Sequence, residues 1–122
     1  SQFTHNAWRN TAVNDGGIGQ VGYTMVADVK GEIIRAFDVE SGGGVAFRGS
    51  FLIDKDGVVQ HQVVNNLPLG RNVDEMLRMV DALQFTEEHG EVCPAGWNKG
   101  DKGMNASPAG VASYLSENSG KL

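Results

Sequence analysis

The chain has 122 residues, 40 % of them hydrophobic, which is one domain's worth with enough apolar material for a core. Fifteen acidic against ten basic residues leave a net charge of −5, which argues against the basic stripe of a nucleic-acid-binding module. No apolar run exceeds three residues, so a membrane-spanning helix of ~20 is excluded.

Taken in chain order, Thr4 is the predicted cap of a short helix through Trp8, with Phe3 before it as a hydrophobic staple. Asn14 to Gly17 form a loop, and Tyr23 to Ala27 read as a short strand. Asp28 caps a helix that carries Ile33, Ile34 and Phe37 and ends near Gly42 to Gly44. Phe47 to Ile53 and Val58 to Val64 are predicted strands, joined by the turn Asp54-Lys-Asp-Gly57 into the clearest hairpin of the chain. Asn72 then opens the best helix, and Glu75 three residues on completes a pattern like a capping box. Val73, Met76, Leu77, Val80 and Leu83 give that helix one apolar stripe. Residues 87–122 are poor in apolar residues and read as an extension lying over a surface or a partner, with a short helix from Pro108 to Leu115. Alternating strands and helices indicate an α/β sandwich, although three strands are few for such a sheet.

Several chemical signals weaken on inspection. Gly17-Ile-Gly-Gln-Val-Gly22 matches the dinucleotide fingerprint, but a polar loop precedes it and a β-like run follows, so a plain glycine loop is the better reading. Asp54 to Gly57 resemble part of a calcium loop, yet Leu52 and Val63 would fall on the first and twelfth positions, where carboxylates are needed. His89 and Cys93 are spaced for metal ligation, with His5 and His61 as possible additions, but no second ligand pair exists. No metal and no cofactor is expected.

Two residues stand out. Arg48 sits in an otherwise apolar strand, where a guanidinium must be paired structurally or must stabilise an anion. Cys93, the only cysteine, cannot form an internal disulfide. Its polar tail predicts an exposed thiol available for exchange, and its acidic neighbours Glu87, Glu88 and Glu91 suit a resolving thiol better than a primary nucleophile.

Five stretches carry a family resemblance: Phe3 to Trp8, Gly16 to Gly19, Phe47 to Asp54, Val64 to Arg71, and His89 to Trp97 with its His-Gly-Glu-Val-Cys-Pro-Ala-Gly-Trp run. In this order and spacing the chain resembles the typical two-cysteine peroxiredoxins, the group of alkyl hydroperoxide reductase catalytic subunits. The resemblance implies an α/β, thioredoxin-like fold and thiol-dependent reduction of hydrogen peroxide and organic hydroperoxides. Cys93 then looks like the resolving cysteine, Arg48 like the arginine that steadies the attacking thiolate and the peroxide, and Arg71 like a second arginine buttressing the site through a glutamate. Trp8 looks like a residue packing near the peroxidatic helix. Gly16 to Gly19 with Tyr114-Leu115 resemble the pair of motifs that pack a carboxy-terminal helix over the active site.

The implied partners are a hydroperoxide and a thioredoxin or dedicated disulfide reductase. A homodimer and a higher ring oligomer, cytoplasmic and without nucleic acid or membrane, are implied too. The family's peroxidatic Pro-x-x-x-Thr-x-x-Cys segment is absent, as are the strands around it, so the chain reads as the carboxy-terminal two-thirds of such a protein. Residues 1–86 are then a partial thioredoxin-like domain and 87–122 the extension carrying the resolving cysteine. Smaller departures are Asn66, where aspartate is usual, and Leu115, where phenylalanine is usual. The rival expectation is a non-enzymatic fragment acting only as an oligomerising or chaperone-like module.

Overall fold

The first helix, α1, runs over Gln2–Arg9 in the computed structural model, which describes residues 1–121. Ser1, not Thr4, is its cap: the Thr4 amide donates to Ser1 Oγ at 3.3 Å. Both hydroxyls suit the role, and the helix takes the earlier one because its first turn then includes Phe3. The chain divides into two compact units, residues 1–47 and 48–121 among those described.

Within residues 1–47 order comes from local polar contacts. The helix α2 (Glu32–Ala36) is shorter than predicted, with Gly31 at its cap position. Asp28 still does the expected work from further back, since its carboxylate accepts from Ile33 N at 3.1 Å and Ile34 N at 2.9 Å. Those two bonds hold its pKa below the usual carboxylate value, with the Ile34 amide the larger cause. The predicted strand over Tyr23–Ala27 does not form. A strand exists by pairing, and among the described residues the only bridge of this unit joins Glu40 and Ala46. Val39, hydrogen-bonded to Phe47 N through its carbonyl, is the one buried apolar residue of the unit.

Residues 48–121 hold the sheet. Strands β1 (Arg48–Ile53) and β2 (Val59–Asn65) pair antiparallel, from Arg48 opposite Asn65 to Ile53 opposite Val59, with an irregularity between Leu52 and Ile53. The turn is as predicted, and Asp54 is its staple. The Asp54 carboxylate accepts from Asp56 N, Val58 N and Gln60 Nε2 at 2.8 to 3.0 Å. Gly57 supplies the left-handed residue at φ 80°.

Helix α3 (Val73–His89) starts at Asn72, whose Oδ1 accepts from Glu75 N at 3.1 Å, and stops at Gly90 with φ 67°. The reciprocal half of the predicted capping box is replaced. Glu75 instead grips Arg78 through two bonds of 2.7 and 2.8 Å. The predicted apolar stripe is only partly covered: Val73 and Leu77 are exposed and Met76, Val80 and Leu83 are half-buried, whereas the buried residue of the helix is Ala82, outside the stripe. Periodicity found an apolar face, but the tail after Gly90 packs on the neighbouring face of Arg78, Ala82 and Phe85. Helix α4 (Pro108–Asn118) follows, capped by Ser107 Oγ on Gly110 N at 3.0 Å.

Candidate functional site

Cys93 is fixed by its surroundings more firmly than its sequence neighbours suggest. The segment carrying it is closed into a loop by Val92 and Met104, which exchange two backbone hydrogen bonds of 2.9 Å. Inside that loop Trp97 is 3 % exposed, the most buried hydrophobic residue among those described. Its ring lies 4.9 Å from that of Phe85, its Nε1 donates to Asp101 O at 3.1 Å, and its carbonyl accepts from Arg78 Nη1 at 2.6 Å. The polar composition of residues 87–122 predicts an open placement for Cys93. One tryptophan is enough to reverse this, because it buries a large ring against α3.

The thiol consequently rests on the helix. Cys93 Sγ lies 3.6 Å from Ala82 O and 3.8 Å from Thr86 Oγ1, beside a hollow of about 260 Å³ lined by Leu52, Met79, Leu83 and Val92. Arg78 ties this region together. Its pKa is raised above the usual arginine value, first by hydrogen bonding to Glu75, with a smaller contribution from Cys93. The same bond is the main cause of Glu75's lowered pKa.

Arg48 is the first residue of β1. It stands exposed at the open end of β1, where its Nε donates to Leu67 O at 2.9 Å. Among the described residues no carboxylate lies within ion-pair distance of Arg48 or Arg71. Arg71 instead shares a hollow of about 200 Å³ with Asn65, Asn72 and Glu75, and Glu75 is already committed to Arg78. Arg48 and Arg71 are thus brought to one end of the hairpin. Cys93 lies beside Leu52, further along the same strand.

In the first unit Trp8 Nε1 donates to Gly16 O at 3.1 Å, and Trp8 O accepts from Ile18 N at 3.2 Å. This wraps the glycine loop around the end of α1. A Cβ at Gly17 would collide with the Thr11 carbonyl, so glycine is required there for close approach. The Gly17–Gly22 fingerprint has neither a strand before it nor a helix after it. Among the described residues no three of His, Cys, Asp or Glu gather as metal ligands. Tyr114 and Leu115 lie on α4, where Leu115 is 42 % exposed. No described helix is long and apolar enough to cross a membrane.

Sequence reasoning missed Arg78, Thr86 and the core role of Trp97. The i, i+3 spacing of Glu75 and Arg78 was a usable signal for the pair. Nothing local announces that the Arg78 guanidinium also reaches the Trp97 carbonyl, 19 residues away.

The chain combines a hairpin, a long helix laid on it and a lone thiol docked on that helix, and the solved structures that share this α/β arrangement are peroxiredoxins, of thioredoxin-like fold. The chain aligns with the reduced 2-Cys peroxiredoxin of Plasmodium vivax at TM-score 0.91 and 46% identity, over 95% of this chain and 60% of that one. Residues 1–62 match the AhpC/TSA family, and residues 82–117 match the C-terminal domain of 1-Cys peroxiredoxin. The chain belongs to the AhpC/TSA family. It is 63% identical to alkyl hydroperoxide reductase C of Helicobacter pylori over 122 residues, which are 100% of this chain and 62% of that protein. It is 47% identical to a chloroplastic 2-Cys peroxiredoxin of Hordeum vulgare over 116 residues, 94% of this chain and 55% of that one. The chain therefore spans about three-fifths of the length of these relatives.

Proposed function

We propose that the full-length protein containing this chain is a thiol-dependent peroxidase acting on hydrogen peroxide and organic hydroperoxides. The observation that carries this is the whole-chain likeness to an alkyl hydroperoxide reductase C. In this reading a thiolate outside the 122 residues attacks one peroxide oxygen, the O–O bond breaks, and the other oxygen leaves as water or an alcohol after taking a proton. The thiolate becomes a sulfenic acid. The Cys93 thiol of a partner subunit then displaces its hydroxyl, releasing water and forming a disulfide. A thioredoxin or a dedicated reductase supplies the two electrons and two protons that reopen it.

Arg48 is the anion-stabilising group in this scheme, since among the described residues only its Nε is engaged, which leaves both Nη groups for an oxygen or thiolate. Arg71 supports it from the same end of the hairpin. Residues 87–121 form the arm that carries Cys93, and this arm must lift from α3 before the sulfur can reach another chain. The exchange between subunits requires a homodimer, and the family resemblance adds a ring of such dimers. The chain by itself should show no turnover, because Cys93 is its only thiol and rests against the Ala82 carbonyl of α3.

The test is peroxide consumption with thioredoxin and its reductase, comparing the 122-residue chain with the full-length protein. Turnover is expected only from the longer protein. After one equivalent of peroxide, non-reducing gels should show a dimer that Cys93→Ser abolishes. A dimer persisting in that variant would remove Cys93 from the resolving role.

A further inference from the structure

We propose that Asn65 is a positioning residue for the arginine pair, fixing the peptide from which Arg71 departs and the loop to which Arg48 is tied. The proposal rests on the peroxidase reading above and adds to it a residue that touches neither sulfur nor peroxide.

Asn65 and Arg48 are direct partners in the antiparallel register. Side chains directly opposite one another project to the same face of a sheet. Here that face is the one under α3, because Ser50, Val63 and Asn65 line a hollow with Glu75 and Met76. From this position Asn65 Nδ2 donates to Gly70 O at 2.9 Å. The Gly70 carbonyl belongs to the same rigid peptide plane as the Arg71 amide. Holding that oxygen therefore sets the direction in which Arg71 leaves the loop.

The five residues between Asn65 and Arg71 have few other restraints. Leu69 N donates to Asn66 O at 2.9 Å, and Leu67 N donates to Asn66 Oδ1 at 2.8 Å. Arg48 Nε holds the Leu67 carbonyl at 2.9 Å. A Cβ at Gly70 would meet nothing within 4 Å, so packing does not hold this residue. Leu69 is 57 % exposed and adds little. The loop is thus pinned at its middle by one arginine and at its end by Asn65, and the second arginine follows at once. Removing the Asn65 donor frees Gly70, the most flexible residue type, next to Arg71. The slack also reaches Leu67, which is the only hydrogen-bond anchor of the Arg48 guanidinium among the described residues.

The experiment uses the full-length protein and compares Asn65→Ala, Asn65→Gln and Arg48→Ala. The second-order rate with hydrogen peroxide is measured across pH, together with Tm. Asn65→Ala is expected to slow the peroxide step about 10-fold, within the ~10² that a 1 Å misplacement costs. It should also move the apparent pKa of the attacking thiol upward, because a wandering guanidinium stabilises the thiolate less. Asn65→Gln keeps an amide donor and should recover part of both effects.

A loss of rate that merely follows Tm, with the pH profile unmoved, would make Asn65 a structural residue and overturn the proposal. So would an unchanged rate. If Arg48→Ala slows the reaction and Asn65→Ala does not, only this inference falls. If Arg48→Ala keeps the normal rate, the peroxidase assignment of Arg48 falls and takes this inference with it. As a readout independent of activity, Arg48 Nε–H exchange followed by NMR should quicken in Asn65→Ala. Unaltered exchange would count against the clamp.

Discussion

Residues 1–47 and 48–121 are held by different means. The first unit has short helices, no described sheet and one buried apolar residue, Val39. Its order is written in caps and turns: Ser1 on Thr4, Asp28 on α2, and Trp8 and Arg9 on the carbonyls of Gly16 and Val21. The second unit has a hairpin, a helix of 17 residues and a tail pressed onto it by Trp97. The difference separates two kinds of information. Local polar motifs set a chain direction without a core, whereas placing Cys93 needs a large ring that packs on another element, Phe85 of α3. Many apolar side chains remain uncovered in both, among them Tyr23 and Val26 in the first unit and Val73 and Leu77 in the second. Such faces call for partners that these residues do not themselves provide.

The largest effect that would break the comparison is expected from Trp97→Ala. Emptying a buried aromatic site costs about 3 kcal/mol or more. If that loss falls on docking of the tail, alkylation of Cys93 by a small reagent should speed up about 100-fold, since each decade corresponds to ~1.4 kcal/mol. Amide exchange in residues 1–47 should stay as it was. Alkylation at the wild-type rate would mean that Trp97 does not hold the thiol on α3. Arg78→Ala should act in the same direction and less strongly, about 10-fold, because it removes one charged hydrogen bond to the Trp97 carbonyl and leaves the ring in place.

Gly17→Ala sharpens the comparison from the other side. The added Cβ meets the Thr11 backbone, which cannot give way as a flexible side chain would. A local cost of about 1–3 kcal/mol is typical of such overpacking. The indole N–H signal of Trp8 should shift as its bond to Gly16 is displaced, while Cys93 alkylation stays unchanged. An unmoved Trp8 signal would show that the loop tolerates the methyl group and that the close approach does not govern it.

Legibility followed the same division. Asn72, Asp54 and Asp28 were readable because a cap or turn acts within a few residues of itself. The hairpin was readable for that reason, and its ends differed from prediction by one residue: Arg48 for Phe47, and Asn65 for Val64. Tyr23–Ala27 was misread because β-propensity describes a surface that suits a sheet and cannot supply the neighbouring strand. The stripe of Val73 and Leu77 was correctly apolar, yet periodicity says nothing about what covers a face. At the site, the composition of the tail spoke for an open Cys93, and a single tryptophan outweighed it. Arg48 and Cys93 stood out by residue chemistry in their segments, and Arg71 only through family resemblance. Asn65 had no signal at all, because its meaning lies in a bond to a carbonyl five residues on.

The smallest expected effect is acid sensitivity, and it tests whether the polar devices of the two units are alike. Asp28 in the first unit, and Asp54 and Glu75 in the second, all have pKa values lowered from the ordinary 3.8 for Asp and 4.5 for Glu. The leading causes are the Ile34 amide, the Gln60 side chain and the Arg78 guanidinium, respectively. For a depressed folded-state pKa, the unfolded chain takes up protons first as pH falls. The stabilisation is therefore complete above the ordinary values and is lost as pH drops from there through the lowered ones. Amide exchange followed from about pH 6 to about pH 3 should show both units loosening over the lower end of that range. Asp28→Asn keeps a capping oxygen but no longer titrates, so it should flatten the acid dependence of residues 1–47 and leave that of 48–121 intact. Glu75→Gln should weaken only the second, where Asp54 still titrates. If residues 1–47 were insensitive to acid before any substitution, the Asp28 carboxylate would not be what holds α2, and the parallel between the two units would fail at its simplest point.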